Sequence, residues 1–242
     1  MKICLVVAVV SSALGCAAEA VTAPPPAPLP NNGSPGPAPT GSHERLSATA
    51  LAGPYASAQA ACEAAAQASG RPKPAAPCAT TAITVTPAAP FSAVILRADD
   101  PSDPRFAGSG SFFLAVSHAG AWFVAPKPID QINGAAGHMY LPEVTPLAST
   151  GVAAPRGGVR ALIRLRDATS SVCNACEGPE REKRTPAQTR AIWIACGLGQ
   201  AGKPACIAPI ETDEKGSASL ANDTLSITTA PGAAPKVYEI AF

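Results

Sequence analysis

The residues best placed to do chemistry are six cysteines. Cys62 and Cys78 lie near each other early in the chain, and Cys173, Cys176, Cys196 and Cys206 lie well downstream. Thiols can close disulfides, bind zinc or exchange electrons. Cys173-Asn174-Ala175-Cys176 has the C-x-x-C spacing shared by zinc sites and thiol–disulfide centres. A zinc ribbon supplies a second tight pair, whereas nine residues separate Cys196 from Cys206. A thiol–disulfide centre opens a helix after a strand, where the helix terminus lowers the thiol pKa. Here the pair precedes the charged run 177–184 and reads as a loop. Three disulfides are the expected arrangement in an oxidising compartment. Cys62 and Cys78 are isolated from the rest, so they are expected to pair, for about 3 kcal/mol in the chain-entropy picture. The other four admit three connectivities. Cys196 with Cys206 across a hairpin would leave Cys173 with Cys176, and a nested pairing is the alternative.

The remaining reactive groups are dispersed. Three histidines, His43, His118 and His138, fall at a segment boundary, a hairpin turn and a Gly-rich stretch. Unclustered polar residues of this kind are mostly surface groups. Asp99, Asp100 and Asp103 form an acidic loop with Pro101 and Pro104. An EF-type calcium loop needs a glycine and a closing glutamate that this loop lacks, so a solvated turn is expected. Arg156, Arg160, Arg164 and Arg166 form a stripe that could hold an anionic glycan, though a solvent-facing sheet surface is the expected reading. No G-x-S-x-G, H-E-x-x-H or P-loop pattern occurs. The sequence therefore designates no catalytic residue, no metal set and no cofactor.

Location is better marked than chemistry. Met1-Lys2 precedes the apolar run 3–14, which is shorter than the roughly 20 residues of a bilayer span. The run closes on Ala13-Leu14-Gly15-Cys16, and a Pro-rich stretch follows over 21–42. This arrangement resembles the signal of bacterial lipoprotein precursors, in which small residues precede a cysteine that becomes the acylated N-terminus. The family usually has leucine three places before that cysteine, and here Leu14 is two places before. The resemblance implies a signal peptide over 1–15, lipidation of Cys16 and a membrane partner reached through the lipid. Ala17 and Ala18 follow the cysteine, which implies delivery to the outer membrane of the cell envelope. Cleavage after Ala18-Glu19-Ala20 is the secretory alternative. Polyproline conformation, at about 3.1 Å per residue, makes 16–42 a tether.

Composition narrows the partners further. The 18 basic residues fall to 17 without Lys2, against 17 acidic ones, so no field exists to steer nucleic acid. Hydrophobic residues make up 47% of the chain, but many are alanines and aromatics are 5%. The 200 residues over 43–242 suffice for one domain with one core.

The elements that must position these groups follow from periodicity. An Ala-rich helix is expected over 54–69, with Pro54 in its first turn, Gly70 past its end, and Tyr55 and Cys62 on its buried face. Residues 43–78 thus form a helical section, and 79–242 form a β-rich one. Strands are expected at 83–86, 91–96, 112–116 and 121–124, the last two joined as a hairpin. Val159, Ala161, Ile163 and Leu165 alternate with Arg160, Leu162, Arg164 and Arg166, giving a half-buried strand with an arginine-bearing outer face. Segments 191–196 and 205–208 are expected to pair, as are 224–228 and 236–242. Too few aromatics and too many prolines exclude an outer-membrane barrel.

The expected fold is mainly β, an antiparallel sandwich or meander of about eight to ten short strands after one short helix, held by disulfides. The stretches Gly53-Pro54-Tyr55-Ala56-Ser57 and Gly120-Ala121-Trp122-Phe123-Val124 resemble exported bacterial proteins of unassigned function. The expected function is a non-enzymatic envelope binding module whose partner is an envelope protein or glycan. An envelope hydrolase using His118 or His138 with Asp99 or Asp103 is the alternative.

Overall fold

A computed structural model describes residues 44–242, apart from 72, 75, 100–109, 132, 136–137, 156–157, 174–175, 177, 179–183 and 200–201. For 133–135, 138 and 139 the backbone alone is described. The chain begins with β1 (Glu44–Ser47), β2 (Thr49–Ala50) and β3 (Ala52–Tyr55), then helix α1 (Ala58–Ala68). Next come β4 (Ala79–Ile83), β5 (Val85–Thr86), β6 (Ser92–Asp99), β7 (Gly110–His118) and β8 (Ala121–Val124). The middle holds β9 (Asn133–Ala135), β10 (His138–Leu141), β11 (Val144–Pro146), β12 (Ser149–Ala153), and the long pair β13 (Val159–Cys173) and β14 (Gln188–Leu198). β15 (Pro204–Cys206), β16 (Ile210–Asp213), β17 (Ser217–Ala221), β18 (Thr224–Thr228) and β19 (Lys236–Ala241) complete it.

Three sheets and the helix stack in layers. The first sheet runs β3-β8-β7-β6-β4; the central one is built on β2-β15-β14-β13-β10-β9; the third runs β1-β19-β18-β17. Pairing is antiparallel except for β1 with β19 and β5 with β12. The two-residue period of β6 sends Ala93 and Ile95 toward the central sheet and Val94, Leu96 and Ala98 toward α1. Likewise β14 turns Ile192, Ile194 and Cys196 to the first sheet and Ala191, Trp193 and Ala195 to the third. Strands buried on both faces read as unbroken apolar runs, which is why 93–96 and 191–196 show no alternation. Each large side chain so buried contributes about 1.5–3 kcal/mol.

Several expectations change. The fold is mainly β with one helix, as the sequence implies, but there are three sheets and more strands than ten. Residues 43–78 are not chiefly helical. The segment 44–55 gives one strand to each sheet, β1 to the third, β2 to the central and β3 to the first. The helix starts at Ala58, because the Ser57 hydroxyl accepts from the Ala60 amide at 3.1 Å and caps it there. Pro54 and Tyr55 lie in β3, and Tyr55 packs on the helix layer from the sheet side. Ala61, Cys62, Ala65 and Ala66 form the buried helix face. The strand expected over 83–86 divides at Thr84, with β4 joining the first sheet and β5 the central one.

Two tight turns close the hairpins, and in one of them an alanine takes the left-handed backbone that Gly, Asn and Asp favour. Ala119 and Gly120 between β7 and β8 both have positive φ, and so do Asn222 and Asp223 between β17 and β18. Two such residues make the tight turn whose twist suits a hairpin.

The three disulfides are Cys62–Cys78, Cys173–Cys176 and Cys196–Cys206. The first joins α1 to the segment before β4. The last bridges directly opposed residues of β14 and β15. The nested alternative is thereby excluded. Cys196 faces Ala161 in register, and Cys173 lies twelve positions further along β13, roughly 40 Å away. The four downstream cysteines therefore do not share one metal site. Cys173 ends a strand rather than opening a helix, which removes the local feature that tunes a redox thiol.

Candidate functional site

The arginines separate into those held inside the fold and those facing a cleft. The stripe on β13 belongs to the first kind. Its face looks toward the third sheet, with Leu162 in the shared core, and β13 lies inside its sheet rather than at an edge. Arg160 donates from Nε to Asp223 at 3.0 Å and from Nη1 to the Leu198 carbonyl at 2.8 Å, and its guanidinium stacks 4.1 Å from the Phe242 ring centre. Asp223 occupies the β17–β18 turn, so this arginine pins the third sheet to the central one. Arg164 lies 5.1 Å over Trp193 and donates to the Glu214 carbonyl, while its buried Nε has no hydrogen-bond partner among the described residues. Arg166 pairs with Glu214 at 2.9 Å. The expected open, solvent-facing arginine surface is thus partly covered and engaged; Arg156 lies outside the described residues.

Arg190 is the most heavily engaged cation. On β14 it donates from Nε to Asp167 at 2.5 Å, from Nη2 to Asp130 at 2.5 Å and from Nη1 to Glu211 at 2.6 Å. One guanidinium so ties β13, β14, β16 and the segment after β8. Asp167 has no exposed side-chain surface, and the Thr169 hydroxyl also donates to it. Burial first, and then the neighbouring Asp130 carboxylate, push the Asp167 pKa up to about 6 against the pull of Arg190. The signal for this residue lies in the alternation itself. Asp167 continues the inward series Ala161, Ile163, Leu165, and a charge pointing inward requires a partner. The partners come from distant segments, so the sequence does not name them. A cleft of about 300 Å³, lined by Asp130, Tyr140, Thr169 and Arg190 among others, opens beside the cluster.

A larger cleft of about 770 Å³ lies where the first sheet meets β10, β11 and β13. Its first wall is the end of β4, β6 and β7, with Thr81, Ile95, Arg97 and Phe112; opposite stand Leu141 to Pro146, with Arg184 and Thr185 completing it. Ile95, Phe112 and Val144 are buried core residues, whereas Thr81, Glu143 and Arg184 are exposed, so the cleft runs from an apolar floor to a polar rim. Arg97 donates from Nε to Asp99 at 2.9 Å and lies 5.8 Å from the Phe112 ring centre. Among the described residues, the terminal nitrogens of Arg97 and the guanidinium of Arg184 have no acceptor. Sequence reading missed this cleft because its arginines sit outside the β13 stripe.

The other sequence candidates are scattered. His118 is half-buried at the end of β7, with Nδ1 3.0 Å from the Pro90 carbonyl. The β6–β7 register puts Asp99 opposite Gly110, at the other end of that hairpin, roughly 27 Å away. For His138 only its place at the start of β10 is described, opposite Cys173. His43, Asp100, Asp103 and Cys16 lie outside the described residues. Among the described residues no group of three metal-binding side chains assembles, and no helix is long and apolar enough to cross a membrane.

No family model, curated protein or solved structure matches this chain.

Proposed function

We propose that the protein is a lipoprotein of the bacterial cell envelope, acylated at Cys16, whose disulfide-bonded β domain is a binding module held off the membrane by residues 16–42. The observation that carries the binding reading is the large cleft. Its volume falls in the range of about 300–1,000 Å³ common to ligand sites. It is backed by apolar core residues and carries arginines whose donors are not all used among the described residues, whereas the ion-pair cluster at Arg190 is satisfied within the fold. The three disulfides suit an oxidising exterior such as the envelope. Lipidation of Cys16 rests on the sequence alone, and outer-membrane delivery on Ala17 and Ala18.

Membrane fractionation with a labelled acyl precursor tests the anchor. The wild-type chain is expected in the membrane fraction carrying label, and Cys16→Ala in the soluble fraction without it. An unchanged distribution for the variant would overturn the anchor, and cleavage after Ala20 would then account for export.

A further inference from the structure

We infer that the cleft beside β4 takes an amphipathic acid, a molecule with one carboxylate or phosphate group on an apolar body. This deepens the binding reading and rests on it. Ile95, Phe112 and Val144, each under a tenth exposed, back the cleft as core residues, and the apolar surface that an occupant would cover is offered by the half-buried Leu141 and Pro146 and the exposed Ala79 and Ala187. The rim carries Arg97 and Arg184. Asp99 accepts from one nitrogen of Arg97, at 2.9 Å. The remaining donors of Arg97 and those of Arg184 suit a planar two-oxygen acid group. Among the described residues Glu143 is the one carboxylate in the lining and Asp99 partners Arg97, so Arg184 is the cation left for a ligand. Among the described residues the donors of Arg184 and the terminal nitrogens of Arg97 meet no acceptor, which favours an acid group over a neutral one.

Arg184 stands on the exposed side of the cleft, whereas Ile95, Phe112 and Val144 lie on its buried side. This sets the orientation, with the acid outward and the apolar body inward. A neutral amphiphile would bury the same apolar body but leave the arginines unsatisfied by the ligand. A simple inorganic anion would meet the arginines but leave the apolar lining at Leu141 and Pro146 wet. Both halves of the molecule are thus needed for full affinity.

The test uses the full chain carrying Cys16→Ala, purified without detergent, and 11-(dansylamino)undecanoic acid as a fluorescent probe. Saturable binding is expected, with the methyl ester of the probe, Arg184→Gln and Arg97→Gln each weakening it roughly tenfold. Thr81→Trp, placed on an exposed cleft wall, should block binding while leaving the melting temperature close to that of the parent. Displacement by dodecanoate and by dodecyl phosphate then tells which acid group is preferred. Equal binding of acid and ester, with no effect of either arginine, would overturn the acid specificity while leaving the cleft as a binding site. Absence of binding by acid and ester alike would overturn the cleft reading itself. Binding that Thr81→Trp leaves unchanged would place the ligand elsewhere and overturn both.

Discussion

Arg190 and Arg184 lie six residues apart in the chain and differ in almost everything else. Arg190 meets three carboxylates from three segments, one of them without exposed surface. Arg184 stands on the rim of the large cleft, and among the described residues nothing accepts from it. Asp167 has no exposed side-chain surface and is costly to leave unpaired, so the first position is tied to stability and the second is available for binding. Equal charge in the sequence therefore says little about role. The partners supplied by the fold decide it.

The sharpest way to break this contrast is to remove each guanidinium in turn. Arg190→Met leaves Asp130, Asp167 and Glu211 without their common cation, and the expected loss is about 3–5 kcal/mol in urea unfolding. Arg184→Gln should change stability by less than about 0.5 kcal/mol. Similar losses for the two variants would erase the distinction.

Next in size is the helix staple. Replacing Cys62 and Cys78 together by Ala and Ser should cost about 3 kcal/mol, read in the same unfolding assay. A much smaller loss would mean that the helix packing of Ala61, Ala65 and Ala66 suffices alone. Arg160→Ala follows, at about 1–3 kcal/mol, because it removes the Asp223 pair and the Phe242 stack and leaves the Leu198 carbonyl without its donor. Its effect should fall between those of Arg190 and Arg184, in line with how fully each is engaged.

The smallest expected effect is a slope in pH. The Asp167 pKa rises from 3.8 to about 6, through burial first and the Asp130 carboxylate next. Between about pH 4 and 6 the folded chain keeps a proton that the unfolded chain has lost. The contribution of this group to stability therefore falls as pH rises through that window. Asp130→Asn removes part of the cause, so it should lower the Asp167 pKa and flatten the slope. Urea midpoints measured from pH 4 to 7 give the comparison, and an identical slope in the variant would show that Asp130 does not act on Asp167.

Much of the local structure was legible in the sequence because it depends on near neighbours. The hairpin through Ala119-Gly120, the pairing of β14 with β15 and of β18 with β19, and the Cys62–Cys78 pair follow from spacing and turn chemistry, whereas the other four cysteines stayed open among three connectivities. The layering was less legible. An Arg–Leu alternation predicts one polar face, yet Arg160 and Leu162 meet a third sheet contributed by the two ends of the domain. Long-range partners carry no local signature, and Arg190 with its three carboxylates is the clearest case. The cleft was illegible for the same reason, since it exists only where β4, β6 and β7 end against β10 and β11. Asp167 was the exception in principle, a charge on the inward side of its strand.

The most direct test of the contrast between engaged and available arginines is residue-resolved modification by phenylglyoxal, mapped by mass spectrometry with and without saturating 11-(dansylamino)undecanoic acid. Arg184 should react quickly and be protected by the acid, with Arg97 protected as well, while Arg160 and Arg190 react slowly whether or not the acid is present. Protection of Arg190 with Arg184 left unprotected would contradict the account, and would move the binding site to the ion-pair cluster.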